Sequence, residues 1–509
     1  MSKANLELYD RDRPFGDKAF RSACYAPFVS LYFDQLGFVR VCCQNFQHTL
    51  GNVARRSLDE IWNGERIGQL RSALRKYNFQ VGCQYCKWQV DEGNYNNFAR
   101  QFDRWPVEST SEFWPAQMEF SISNACNLEC VMCNGEWSSS IRSRREKLPP
   151  LRKVYDDRFF ADLRKYLPHV KWLKFLGGEP FLSPECRRIW DMILEDGLRT
   201  PCHVTTNGTQ YNARVERILE SLPVSFSVSI DGATKQTYER IRKNAVFEEV
   251  MENFRRFHDY ARRRGTSIAL TYCLMPANWR EFGDFLLFAD GWDVDVCVNT
   301  VLHPPEHSLY AMSAEELRPI VEGLEVQGRT IQPKLGRNRD VWTHELERIR
   351  HRMLHADRDA LSFLPGKLVE RIGVARPAAD PQAEARRVLE AWSGGGAVDV
   401  LVCDDRDVVV AAGDGGDAFL GVPLADCLGR PFHDVYALLR MRYGAMTAVH
   451  RRTRGEFVDR YFGFTSLELT ERTARLLSWR RTAPSGEFLG SATAATMLEA
   501  PFRPALVEK

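Results

Sequence analysis

Between residues 116 and 310 short apolar runs alternate with stretches whose apolar positions recur every three or four residues. The runs cover 117–123, 172–176, 202–206, 224–230, 267–274 and 293–301. Six strand-like runs separated by helical stretches predict an α/β unit with a parallel sheet and right-handed crossovers. In such sheets ligands gather at the carboxyl ends of the strands, so the informative residues are those that end each run. Upstream, the runs 24–33 and 37–43 flank the turn residues Asp34-Gln-Leu-Gly37, which predicts a β-hairpin. Ser57 with Glu60 three residues on has the capping-box pattern, and Leu58, Ile61, Ile67, Leu70 and Leu74 suit an amphipathic helical stretch. Downstream, helical pattern covers 313–374 and 376–381 has linker composition. Residues 398–411 read as two strands around an Asp-rich turn, short helical or turn pieces follow, and 475–481 and 487–495 suit antiparallel strands.

The chain has 509 residues, too many for one ordinary core, and three domains are expected. Its formal charge of +2 gives no overall field that would favour nucleic acid or a lipid surface. The first ten residues are mixed in charge, and no run of about 18 apolar residues occurs. The expectation is a cytoplasmic protein with neither nucleic acid nor membrane as partner. Fourteen cysteines without an export signal are better explained by thiolate metal sites than by disulfides.

Three of those thiols crowd the end of the first run, in Asn124-Ala-Cys126-Asn-Leu-Glu-Cys130-Val-Met-Cys133-Asn. Thiolates favour iron–sulfur clusters or zinc, and a close trio can hold three corners of a cubane while leaving one iron open to a substrate. The second run ends in Gly177-Gly178-Glu179-Pro180, where the glycines allow close backbone approach and Pro180 fixes the turn. Together the two segments resemble the signature of the radical S-adenosylmethionine (radical SAM) enzymes. The resemblance implies a partial (β/α)6 TIM-like barrel in which Cys126, Cys130 and Cys133 hold a 4Fe-4S cluster. SAM chelates the fourth iron, with Glu179 as an acceptor near its ammonium group. Met132 departs from the family, which often has an aromatic residue against adenine there; a thioether can also pack on a ring.

The third run ends in Thr205-Thr206-Asn207-Gly208-Thr209, whose hydroxyl and amide groups, Asn207 among them, suit the ribose or the carboxylate of SAM. The fourth leads through Ser229-Ile-Asp231-Gly232, which resembles the ribose-contacting strand of SPASM-type relatives. That makes Ser229 the contact and leaves Asp231 to cap the next helix. Tyr238-Glu-Arg-Ile-Arg242 also resembles the relatives, and an arginine there either pairs with the SAM carboxylate or lies at the surface. Cys186, Cys202, Cys273 and Cys297 stand alone and are expected to pack, though Cys273 and Cys297 lie on late strands where either could face the cavity and donate hydrogen.

In the amino-terminal hundred residues Cys24, one of Cys42 and Cys43, Cys83 and Cys86 could close a tetrathiolate shell, which fits a structural or electron-transfer site. The order of features resembles the twitch or SPASM-type auxiliary-cluster domain of radical SAM proteins, here ahead of the barrel where it usually follows. On that register Cys42 is the ligand, and the cysteines suffice for one auxiliary 4Fe-4S cluster; a four-cysteine zinc knuckle is the alternative. The domains expected are an α+β auxiliary-cluster domain over 1–100, the barrel over 116–310, a helical extension and linker over 311–380 and a PAS-like α+β domain over 385–500. In the last, Cys403, Cys427 and His433 are expected to pack or solvate more readily than to hold a cofactor.

The resemblance implies one-electron cleavage of SAM to a 5′-deoxyadenosyl radical that takes hydrogen from a C–H bond of a peptide or small-metabolite substrate. The auxiliary cluster then relays an electron, and a flavodoxin or ferredoxin is the reducing donor. The rival expectation is a non-catalytic iron–sulfur redox sensor signalling through the PAS-like domain.

Overall fold

The computed structural model describes residues 3–45, 48–79, 81–91, 95, 98–107, 114–146, 150–151, 153–301, 304–354, 398–403, 409–413, 418–419, 422–429, 447–455, 460–468, 473–482 and 488–498. The chain divides into two units, residues 1–301 with 315–351 and residues 302–314 with 352–509.

The first unit opens with helices α1 (Lys3–Asp10) and α2 (Ala26–Val29), then strands β1 (Ser30–Asp34), β2 (Phe38–Arg40) and β3 (Gly51–Asn52). Helices α3 (Leu58–Trp62), α4 (Glu65–Arg75) and α5 (Gln84–Asp91) follow. The expected hairpin forms between β1 and β2, and Asp34 shapes its turn by accepting from Leu36 N and Phe38 N, both at 3.0 Å. Four of the ten residues of the run 24–33 are helical, because Pro27 falls in the first turn of α2, where its fixed φ suits a helix. Ser57 and Glu60 make the capping box on α3. The amphipathic stretch breaks into two helices at Gly64, where a Cβ would stand 2.4 Å from Glu60 O.

Six parallel strands make the barrel: β4 (Gln117–Ser121), β5 (Trp172–Phe175), β6 (Cys202–Thr206), β7 (Val224–Ser229), β8 (Ile268–Leu274) and β9 (Asp295–Thr300). Helices α6 (Asp157–Tyr166), α7 (Pro184–Glu195), α8 (Ala213–Ser221), α9 (Lys235–Ile241), α10 (Phe247–Arg264) and α11 (Phe282–Gly291) fill the crossovers, and α12 (Ala314–Ile331) and α13 (Arg339–Leu354) come after β9. The amino-terminal hairpin does not stand apart. β1 pairs in parallel with β4 along its whole length, from Ser30 opposite Gln117 to Asp34 opposite Ser121, so the sheet runs β3-β2-β1-β4-β5-β6-β7-β8-β9.

Alternate strand residues meet the helices. Phe175 packs on Trp190 of α7, Phe226 on Phe257 of α10 and Tyr272 on Phe285 of α11, with ring centroids 4.4–4.6 Å apart. The intervening positions turn to the other face, the barrel interior, and most are polar: Glu119 meets Gln117 and Lys174 there, and His203 meets Ser227.

In the second unit β10 (Val398–Cys403) and β11 (Val409–Gly413) are the two expected strands, and β12 (Ala418–Phe419) and β13 (Val422–Pro423) form a small separate pair. With β14 (Thr447–Gly455), β15 (Arg460–Glu468), β16 (Thr473–Thr482) and β17 (Phe488–Leu498) they give a six-stranded antiparallel sheet ordered β11-β10-β17-β16-β15-β14. Cys427 is buried, as expected for a packing residue, while His433 lies outside the described residues. Among the described residues no helix is long and apolar enough to cross a membrane.

Candidate functional site

After β4 the backbone runs irregularly through the segment that carries Cys126, Cys130 and Cys133, and the end of β5 is stitched onto it. Gly178 N donates to Ser123 O at 3.1 Å and Glu179 N to Ala125 O at 2.7 Å. The two glycines are required by that approach. Gly177 has φ +102°, and a Cβ there would lie 2.7 Å from Ser121 Oγ; on Gly178 it would lie 2.4 Å from Ala125 O. What comes close to this turn is therefore the cysteine segment itself.

Glu179 is buried and ties the turn to the end of β6. Its carboxylate accepts from Thr206 Oγ1 at 2.9 and 3.0 Å, from Asn207 N at 2.7 Å and from Phe181 N at 3.2 Å. Burial pushes it up to about 7, against the pull of those hydrogen bonds. Pro180 then opens a short 3-10 turn. Asn207 also bonds inward: Nδ2 donates to Asn127 Oδ1 at 3.1 Å and reaches Cys126 Sγ at 3.8 Å, while Oδ1 accepts from Thr209 N at 2.9 Å. Three loops, after β4, β5 and β6, thus form one hydrogen-bonded body around Cys126. Ser229 ends β7 opposite Thr271 and is nearly buried.

Of the two arginines in 238–242, Arg240 is at the surface, whereas Arg242 is buried and engaged by protein groups. It is 8% exposed, its Nε lies 2.7 Å from Asp231 Oδ2, and its Nη1 reaches Cys130 Sγ at 3.9 Å. Burial works against its charge, and Asp231 and Cys130 more than offset that effect. Asp231 in turn accepts from Cys273 N at 2.6 Å, so it links β8 to the cysteine segment, and the cap of α9 is Thr234 instead. Met132 and Cys273 pack against Ile241, Met275 and Val301, next to the same segment. Cys186 and Cys202 are buried in the core, and Cys297 is exposed on the edge strand β9.

Burial pushes Cys126 up to about 11 and raises Cys130 and Cys133; Cys130 adds at Cys126, and both of its partners add at Cys133. Thiols held so high ligate only where a metal's positive charge deprotonates them. With an amide aimed at one sulfur and a guanidinium at another, the donor set fits an iron–sulfur cluster.

A second group of thiols gathers in the amino-terminal segment. Burial raises Cys24 and Cys83 to about 12 and Cys42 and Cys86 well above the ordinary thiol range. Among its neighbours Cys42 feels Cys43 first, then Cys86, Cys24 and Cys83, so the other four thiols of this segment lie within electrostatic reach of Cys42. Cys24 Sγ accepts from Ala26 N and Cys83 Sγ from Asn45 Nδ2, both at 3.4 Å. Cys43 acts on Cys42 and Cys86 as well; burial is the main cause of its own rise to about 12, followed by Glu119, with Lys174 and Arg40 opposing. Among the described residues no three His, Cys, Asp or Glu side chains close around a single metal ion.

The barrel interior holds residues that the sequence reading missed. Glu119 is fully buried; Gln117 Nε2 donates to its Oε1 at 2.9 Å, while Oε2 has no hydrogen-bond partner and lies 3.9 Å from Lys174 Nζ. His203 Nε2 lies 2.9 Å from Ser227 Oγ, and burial with the Lys174 and Arg104 charges pushes the imidazole down to about 3, so it is neutral. The signal was present. Polar residues recur at every second position of 117–121, 203–205 and 225–229, and Lys174 interrupts the apolar run 172–176, whereas a parallel strand covered on both faces reads as continuous Val, Ile and Leu.

The family model described as Radical SAM superfamily matches residues 120–289, and that of the SPASM iron–sulfur cluster-binding domain matches 24–87. A probable GTP 3′,8-cyclase of Methanocaldococcus jannaschii is 25% identical over 174 residues, which are 34% of this chain and 54% of that protein. An AdoMet-dependent heme synthase of Methanosarcina barkeri is 30% identical over 129 residues, 25% of this chain and 34% of that protein. This chain therefore spans about half or less of these relatives. Among solved structures, Streptococcus suis SuiB bound to the precursor peptide SuiA aligns with TM-score 0.32 at 12% identity, over 51% of this chain and 61% of SuiB. The cofactors implied by the two matching domains are 4Fe-4S clusters, one of them auxiliary, and SAM. With a partial α/β barrel over the first match and a cysteine-bearing segment over the second, the chain carries a radical SAM domain and, ahead of it, a SPASM-like iron–sulfur domain.

Proposed function

We propose that this protein is an oxidoreductase in which a cluster held by Cys126, Cys130 and Cys133 supplies one-electron cleavage of SAM, yielding a 5′-deoxyadenosyl radical that takes hydrogen from a peptide or small-metabolite C–H bond. The observation that carries the reading is the single hydrogen-bonded body made by the loops after β4, β5 and β6, with three thiols on it.

In this reading Gly177, Gly178, Glu179 and Pro180 hold the cysteine segment against β5, and Asn207 orients Cys126; together with Ser229 they border the place for SAM. Arg242 keeps a positive charge beside Cys130 and Asp231 keeps Arg242 in place. Cys24, Cys42, Cys83 and Cys86 hold an auxiliary cluster that relays an electron, and a flavodoxin or ferredoxin supplies reducing power. Glu119, Lys174 and the neutral His203–Ser227 pair line the interior and orient the polar groups of a substrate there. The names of the relatives span GTP cyclisation and heme synthesis, which supports common SAM chemistry more than one shared substrate. The boundaries 1–100, 116–310, 311–380 and 385–500, with a PAS-like character for the last, complete the proposal.

Anaerobically reconstituted protein with SAM and dithionite should release 5′-deoxyadenosine, and Cys126→Ala/Cys130→Ala/Cys133→Ala should abolish release while keeping about four irons per chain. No 5′-deoxyadenosine from the wild type would leave the sensor reading in its place, and loss of all iron in the variant would refute two independent sites.

A further inference from the structure

At the amino-terminal ends of β4 and β5, the far side of the barrel from the cysteine segment, an open cavity of about 670 Å³ is walled by α2 and α4. Arg71, Arg75, Lys76 and Lys171 bring four cations to it, and among its lining residues there is no carboxylate. Arg75, Lys76 and Lys171 enter no ion pair among the described residues. Burial and the Arg75 charge pull Arg71 down to about 10, as expected where like charges gather. Trp114, 45% exposed, lies flat on His169 at 4.0 Å and adds an aromatic rim.

This wall is also the back of the amino-terminal thiol site. Leu74, next to Arg75 on α4, accepts at 2.9 Å from the amide of Ala23, the residue before Cys24. Both arginines lie over aromatic rings, Arg71 over Trp62 at 4.6 Å and Arg75 over Phe20 at 3.8 Å. Guanidiniums so placed spread their charge along the wall and do not converge on one point, which suits a surface bearing several carboxylates better than a single phosphate.

We propose that this cavity docks an acidic electron-transfer protein of the flavodoxin or ferredoxin kind, which passes one electron to the thiol site of Cys24 behind the wall. The proposal rests on the reductive SAM chemistry proposed above. In the step the donor loses one electron and the iron site gains it, and no bond is made or broken.

The test compares wild type with Arg75→Glu/Lys76→Glu/Lys171→Glu and with Lys76→Glu/Lys171→Glu, the latter sparing the Arg75 ring contact. Reduced bacterial flavodoxin or dithionite drives 5′-deoxyadenosine formation, and calorimetry follows flavodoxin binding directly. Both variants should lose flavodoxin-driven turnover by about tenfold or more at low salt and bind flavodoxin more weakly, with the difference fading as salt rises, while dithionite-driven turnover stays at the wild-type level. Unchanged flavodoxin binding and turnover in both variants would overturn the proposal, as would weakened binding of ATP or pyrophosphate with flavodoxin unaffected. A wild type that is silent with dithionite would refute the SAM chemistry instead, and flavodoxin calorimetry would still decide the docking site.

Discussion

A buried guanidinium without a counter-ion costs several kcal/mol, and Asp231, 2.7 Å from Arg242, removes most of that cost. Asp231→Asn should therefore destabilise the cluster-free protein by about 3–5 kcal/mol in denaturant unfolding. Asp231→Asn/Arg242→Met should recover a good part of that loss, and a double variant no more stable than the single one would place the effect elsewhere. Glu179 carries the opposite kind of term. Its carboxyl is raised from 4.5 to about 7, so the folded state binds the proton more tightly than the unfolded chain does. Its contribution is full below about 4.5 and is lost as pH rises through 7, roughly 3 kcal/mol across that window. Glu179→Gln should flatten that part of the pH–stability profile; an unchanged slope would mean the carboxyl is ionised in the folded state. The sequence marked both residues but not their roles. Asp231 and Arg242 are eleven positions apart, and their meeting depends on where β7 delivers one and α9 the other.

At the scale of elements, the turn after β5 works as a clasp. Gly178→Ala would put a methyl 2.4 Å from Ala125 O, where backbone must move. The variant should lose iron from the Cys126 site and cut SAM cleavage by about tenfold or more, while iron at the amino-terminal site stays; full activity would show that the clasp tolerates opening. Every barrel strand falls inside one of the six apolar runs, because alternation within a run and helices between runs are local signals. The pairing of β1 with β4 left no such trace. Parallel partners distant in sequence share no turn, and the run 24–33 gives no sign of which strand it joins. The cysteine motifs and Gly177–Pro180 were legible because their chemistry needs fixed spacings, whereas the opposition of Glu119 and Lys174 depends on the register between β4 and β5.

Over the whole first unit, one sheet joins the auxiliary segment to the barrel, so the two should lose structure together. Native-state hydrogen exchange should protect the amides of β1 as strongly as those of β5, and exchange of β1 a hundredfold faster would separate them. The order of synthesis makes the same sheet a timing problem. β1 leaves the ribosome about 90 residues ahead of β4, an interval of roughly 5–20 s at ordinary elongation rates, with one edge closed by β2 and the other bare. For that time the nascent chain offers an apolar strand edge to any passing partner, so its yield in cells should depend on chaperones that cover such edges until Gln117–Ser121 emerges.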